Sequence, residues 1–144
     1  MLIERIVREK GSDVATIRAD ALVAAAVAEL RRWNVGALVV TDESGPLAGI
    51  VSERDIVRAV ADHGVAALDG PVSGIMSTEV VTCGRDGTVE ELMRLMTERR
   101  IRHVPIVEGN ALVGIVSIGD VVKNRLGELE SETQSLVDYI TAGR

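Results

Sequence analysis

The 144-residue sequence contains no phenylalanine, one tryptophan (Trp33) and one tyrosine (Tyr139). Its core must therefore be built from Val, Ile, Leu, Ala and Met, and it has few flat side chains on which bases could stack. Positive charge is also short: 16 Lys and Arg against 22 Asp and Glu leave a net charge of −6. A chain with neither a positive field nor stacking platforms is a poor binder of nucleic acid, and no such partner is expected. The lone Cys83 excludes an intrachain disulfide and a CxxC site. With His63 and His103 as the only histidines, the residues speak against a structural zinc site. No apolar run reaches the roughly 18 residues that a bilayer crossing needs. The opening MLIERIVREKG carries charges inside its apolar pattern, unlike a signal peptide. No membrane partner is expected, and the expected location is cytoplasmic. The GxxxxGK[ST], GxGxxG and HExxH signatures are missing too, so an enzyme is not expected.

What is present is a repeat. GIVSERDIV at 49–57 returns as GIVSIGDVV at 114–122, identical at six of nine positions. Further matches follow at nearly the same offset: Val14-x-Thr16 with Val80-x-Thr82, Asp20 with Asp86, Leu47 with Leu112. Around them the same order of elements recurs. In the first half, 14–17 is extended, Asp20 is a candidate N-cap for a helix over about 21–33, 36–41 (GALVVT) reads as a buried strand, DESGP as a turn, LAGIVS as a strand and ERDIVRAVAD as a helix. In the second half VVTC is extended, and Asp86 or Thr88 caps a helix, Thr88 and Glu91 fitting a capping box. HVPIV and ALVGIVS are strands, and a helix starts near Gly119. A glycine-rich stretch at 64–74 separates the halves. Residues 2–9 show helical spacing ended by Gly11, and the tail to about Ile140 is charged and helical. A half of about 60 residues buries little surface alone, so the two must pack on each other.

The repeated Ser-x-x-Asp junction has two readings. Ser52 with Asp55, and Ser117 with Asp120, fit capping boxes at strand-to-helix steps. The same geometry puts a carboxylate beside free N–H groups, where it can accept hydrogen bonds from a vicinal diol such as that of ribose. Capping explains one junction but not the preservation of the GIVS strand before both.

The stretches DESGPLAGIVSERD and EGNALVGIVSIGD, each preceded by a buried strand (GALVV or RHVPIV), resemble a tandem pair of CBS domains, a Bateman module, from about Lys10 to about Arg125. The resemblance implies an α+β fold in which two β-α-β-β-α repeats pack sheet to sheet about a pseudo-twofold axis. It divides the chain into a first repeat with its N-terminal helix at 1–64, a linker at 65–75, a second repeat at 76–127 and a C-terminal helical extension at 128–144. It implies a regulatory module with two clefts for adenosine-containing ligands such as AMP, ADP, ATP, NAD(H) or S-adenosylmethionine, a homodimer, and an unidentified protein partner that reads the state of the module. A chain that starts with Met and ends in an amphipathic helix is expected to stand alone rather than to be cut from a larger enzyme.

Carried over by position, the resemblance centres the first cleft on Asp120 and Ser117, with Ile115 under the base and Lys10, Asp13, Ala15, Val35 and Gly36 as walls. Arg102 and His103 match a basic pair that faces phosphate in such proteins. It centres the second cleft on Asp55 and Ser52, lined by Val81, Ile101 and Arg102, with Arg54 beside the carboxylate. The first repeat has Gly36 and Ala37 where the second has Arg102 and His103, so the clefts are expected to differ. Counting Arg102, His103 and Lys10 as the available cations favours AMP or NAD(H) over ATP. The competing expectation is a protein-interaction scaffold whose clefts stay empty. Cys83 and the methionines Met76, Met93 and Met96 read as packing residues.

Overall fold

The computed structural model describes residues 1–11 and 13–143. Helix α1 (Ile3–Lys10) buries Ile3, Ile6 and Val7 and stops at Gly11, whose φ of 91° suits glycine. The first repeat follows as β1 (Thr16–Arg18), α2 (Val23–Trp33), β2 (Ala37–Asp42), β3 (Gly45–Ser52) and α3 (Glu53–His63). The second runs β4 (Cys83–Gly84), α4 (Val89–Arg99), β5 (His103–Glu108), β6 (Ala111–Ser117) and α5 (Ile118–Ala142). Residues 64–74 are not an open linker: two short 3₁₀ turns, Val65–Asp69 and Val72–Gly74, occupy most of them.

Each repeat forms a three-stranded sheet, ordered β1-β2-β3 and β4-β5-β6, with the first pair parallel and the second antiparallel. The sheets meet through β3 and β6. The fold is thus the α+β pair of repeats expected. Asp20 does not cap α2: the N-cap is Leu22, without a side-chain hydrogen bond, and Asp20 is held by the Arg18 guanidinium at 2.9 and 3.0 Å. In the second half Thr88 is the cap, its hydroxyl accepting from the Glu91 amide at 3.1 Å.

Two apolar cores result, and each borrows a segment from the other side of the chain. The second-repeat core gathers Leu92, Met96, Val104, Ile106 and Val116 together with Ile3, Ile6 and Val7 of α1. The first-repeat core gathers Val23, Ala26, Leu38, Val40 and Val51 together with Val72. Full burial of such an aliphatic side chain contributes about 1.5–3 kcal/mol, so each borrowed segment matters to its host. Both are stitched in by the same backbone pattern. Ile3 N–H donates to Gly87 C=O and Glu4 N–H to Arg85 C=O, while Val89 N–H donates to Met1 C=O (2.9, 3.1 and 2.9 Å). Val72 N–H donates to Ala21 C=O and Ser73 N–H to Ala19 C=O, while Val23 N–H donates to Gly70 C=O (2.8, 2.9 and 2.9 Å). The segment before each repeat therefore docks on the opposite repeat, and α1 lies on the second rather than the first.

This exchange explains the glycine of the repeated strand. A Cβ on Gly49 would stand 2.7 Å from the Ser77 carbonyl oxygen and 2.9 Å from Met76 Sδ; one on Gly114 would stand 3.2 Å from a Val7 methyl. Both glycines leave room for the arm that crosses their strand. Among the described residues, no helix is long and apolar enough to cross a membrane.

Candidate functional site

Both Ser-x-x-Asp junctions are complete capping boxes. Ser52 Oγ accepts from the Asp55 amide at 3.3 Å and the Ser52 amide donates to Asp55 Oδ2 at 2.8 Å. The Ser52 hydroxyl also donates to Asp55 Oδ2, at 3.0 Å. At the second junction the matching distances are 3.1 and 2.8 Å, between Ser117 and Asp120. Capping and ligand binding do not exclude each other here. The cap engages Oδ2 and fixes the carboxylate in orientation, which leaves Oδ1 as an acceptor not used by the cap.

The surroundings of the two carboxylates differ. Asp55 and Ser52 open on a cavity of about 370 Å³, within the usual range for small-molecule sites, lined by both repeats. Arg54, Val81, Ile101 and Arg102 line it as expected. Gly36 and His103, expected at the other cleft, line this one too. The two residues sit close together: the His103 ring is 3.0 Å from where a Gly36 Cβ would stand. Arg58, Arg99 and Arg100 also line the cavity, and the sequence reading missed them. Arg54 and Arg58 are one turn apart on α3, a spacing that puts them on one face and was the available signal.

At Asp120 the carboxylate is already partnered, although Asp120 and Lys10 also line an open groove between α1 and α5. Lys10, at the end of α1, places its ammonium 2.7 Å from Asp120 Oδ2 and 2.8 Å from the Ile115 carbonyl oxygen, to which it donates. Burial raises the Asp120 carboxyl, but hydrogen bonds from Lys10 and Ser117 outweigh it and hold the group below the ordinary range. Of the remaining expected walls, Ala15 is buried in the first core and Val35 packs against it. Asp13 is exposed between α1 and β1. The groove that Asp120 lines does not include Asp13, Ala15 or Val35.

His103 sits between the two carboxylate sites. Burial pushes its imidazole below the ordinary value and Lys10 and Arg102 add to this, while Glu53 and Asp120 pull the other way. These surroundings favour the neutral ring, which donates one hydrogen bond and accepts another. Burial pushes the Cys83 thiol up, with Glu91 adding to it. The thiol packs against the second core, which fits packing rather than nucleophilic chemistry. Among the described residues no cluster of His, Cys, Asp or Glu could hold a metal ion.

Comparison with known proteins agrees with this architecture. The family model described as CBS domain matches residues 5–62 and 72–127. The chain is 40% identical over 128 residues to a mitochondrial CBS-domain-containing protein of Arabidopsis thaliana, covering 86% of this chain and 62% of the plant protein. It superposes with a TM-score of 0.83, at 44% identity, on the crystal structure of a CBS-domain-containing protein from Agrobacterium tumefaciens, covering 86% of this chain and 92% of that one. A CBS domain pair solved in complex with 5′-methylthioadenosine and S-adenosyl-L-methionine superposes with a TM-score of 0.78 at 26% identity, covering 89% and 98% of the two chains.

Proposed function

We propose that this chain, which belongs to the CBS-domain family and carries two copies of the domain, is a regulatory module that binds an adenosine-containing ligand between its repeats and passes the bound state to a partner. The observation that carries the reading is the Asp55 cleft: a carboxylate oriented by its own capping box, with one oxygen left for a diol, opening on a cavity of about 370 Å³ walled by both repeats. A ligand there touches α3 of the first repeat and β5 of the second at once. It stabilises whichever arrangement of the repeats fits it, by no more than its difference in affinity for the two. That a related pair was solved with two adenosine derivatives supports the ligand class. Within the proposal, Asp55 and Asp120 hold ribose, Ser52 and Ser117 support them, Ile101, Val81 and Ile115 pack on the base, and Arg54, Arg102 and His103 face phosphate. AMP, NAD(H) and ATP are the candidate ligands, and the module acts without catalysis.

The test is isothermal calorimetry with AMP, ADP, ATP, NADH and S-adenosylmethionine on the wild type and on Asp55→Asn. The asparagine keeps an acceptor for the Ser52 amide, so the helix stays capped while the anionic acceptor is lost. Hydrogen bonds to a charged group contribute about 1.5–3 kcal/mol, so binding should weaken by about ten- to a hundredfold with the melting temperature held. Unchanged affinity in the variant would remove Asp55 from the site. A flat response to every adenosine ligand would move the function to the second reading, an interaction scaffold.

One observation favours an interaction surface beside the cleft. Residues 129–142 of α5 are all exposed in the single chain, and Leu129, Leu136, Val137, Tyr139 and Ile140 have no cover. Val122, Leu126, Leu129, Thr133, Leu136 and Ile140 follow alternate steps of four and three, the spacing of a coiled-coil seam. The proposed occupant of that seam is α5 of a second copy, making the module a homodimer.

A further inference from the structure

The second cleft carries more positive charge than an acidic chain needs to keep together. Arg54, Arg58, Arg99, Arg100 and Arg102 all line the Asp55 cavity, against the carboxylates Glu53, Asp55 and Glu79. Elsewhere six of the eight described arginines are partnered: Arg5, Arg8, Arg18, Arg32, Arg85 and Arg125 each have a carboxylate within ion-pair distance, and only Arg31 and Arg94 do not. Among the described residues, none of the five cleft arginines forms an ion pair, and the one hydrogen bond they donate runs from Arg54 to the Arg100 carbonyl oxygen at 3.3 Å.

The internal repeat is a control for what the fold itself requires. At the positions of Arg99, Arg100 and Arg102 the first repeat has Trp33, Asn34 and Gly36; at those of Arg54 and Arg58 the second has Gly119 and Lys123. One cation of five is duplicated, so the fold does not demand them. Helix electrostatics accounts for Arg99, at the C-terminal end of α4, where cations are favoured. It opposes Arg54, in the first turn of α3, where the dipole disfavours positive charge. Arg100 also holds the left-handed conformation that closes α4 (φ 54°), which its counterpart Asn34 (φ 53°) adopts more readily than a long unbranched side chain does. Three arginines from the second repeat and two from the first thus line one cavity without an ion pair, and at Arg54 and Arg100 they do so against local preference.

From this we infer that the Asp55 cleft is shaped for an adenosine ligand with two or more linked phosphates, the adenosine 5′-diphosphate group common to ADP, ATP and NAD(H), rather than for AMP or S-adenosylmethionine. The inference rests on the adenosine reading above and adds the ligand's charge. A guanidinium matches phosphate oxygens in a bidentate fork. Several forks spread over α3, the end of α4 and the residue just before β5 engage a chain of phosphates better than a single one. Bound phosphate supplies the negative charge that these cations lack among the cleft side chains.

The test is calorimetry of the full chain with AMP, ADP, ATP, NADH and inorganic tripolyphosphate, on the wild type, on Arg58→Gln and on Arg58→Gln/Arg100→Asn, the last restoring the first-repeat residue at the helix end. Each variant is checked by thermal melting. The expected result is that ADP, ATP and NADH bind more tightly than AMP by about tenfold or more, the effect of a charge-assisted contact or two. Their affinity should fall more steeply with salt. The double variant should erase the preference while AMP affinity changes little. Loss for ATP and ADP without loss for NADH would assign the seat to nucleotides with a free terminal phosphate, and the reverse to dinucleotides. AMP binding as tightly as ADP in the wild type would overturn the inference and leave the adenosine reading intact. Tight tripolyphosphate binding with no preference for adenosine would overturn the adenosine reading and leave a bare polyphosphate seat.

Discussion

Gly49 and Gly114 occupy equivalent places in the repeated strand, and each leaves space for a crossing arm, but the neighbours differ in hardness. At Gly49 the nearest atom to an added methyl is a backbone oxygen, Ser77 C=O at 2.7 Å, itself tied to Ile50 by hydrogen bonds of 2.9 and 3.0 Å. At Gly114 it is a Val7 methyl at 3.2 Å, at the end of a side chain that can shift by a few tenths of an ångström. Overpacking of a rigid contact costs about 1–3 kcal/mol, so Gly49→Ala should lower stability in urea melts by about that amount and Gly114→Ala by clearly less. Equal effects would mean that the arm at 72–77 is as compliant as α1. The sequence displayed both glycines, because identity across a repeat is visible, but not their reason, because the atoms they make room for lie 28 residues downstream in one case and 107 upstream in the other. The capping boxes are the opposite case: Ser52 with Asp55 and Ser117 with Asp120 are local in sequence, and local patterns carry their own geometry.

Elements were legible where periodicity or a turn signal ran for several residues, as in α2, the β2–β3 and β5–β6 hairpins and α3. They were less so where pairing alone defines them: β4 is only Cys83–Gly84, which shares one residue with the extended run VVTC at 80–83. The amphipathic stripe of α1 announced burial without naming the surface that buries it, and sequence order suggested the first repeat when the second is the host. The same ambiguity applies to α5, whose apolar stripe outruns the body of the module. An isolated helix of about 12–15 residues is marginal in water, so the segment from Leu129 onward needs cover to stay helical. If a second copy supplies it, the wild type sediments as a dimer at micromolar concentration, and Leu129→Glu/Leu136→Glu sediments as a monomer. Its melting temperature then falls only by what dimerisation contributes, because both side chains are exposed within one chain (44% and 63%). A wild type that sediments as a monomer would remove the homodimer from the proposal.

At the scale of the whole molecule the two repeats share a backbone plan and divide in chemistry. The plan was readable from the duplication. The division was only partly so, because the five arginines sit on α3, at the end of α4 and just before β5, and meet only when the repeats pack. The other half of the division is Lys10, which crosses with α1 and puts its ammonium on Asp120 and on the Ile115 carbonyl, the groups the resemblance assigns to ribose and base. A ligand that takes the place of that ammonium beside Asp120 and the Ile115 carbonyl must displace it, and its apparent affinity is then cut to the fraction of molecules in which Lys10 has moved away. Lys10 and Asp120 keep 31% and 25% of their side-chain surface exposed, and an ion pair this accessible is worth about 1 kcal/mol or less to stability, so its removal should leave the fold standing. The expectation is one ligand bound per wild-type chain, at Asp55, and a second equivalent taken up by Lys10→Met that Asp120→Asn abolishes in the same background. Should Lys10→Met instead weaken binding, the lysine is a ligand contact that waits on the carboxylate, and the Asp120 cleft is open in the wild type as well.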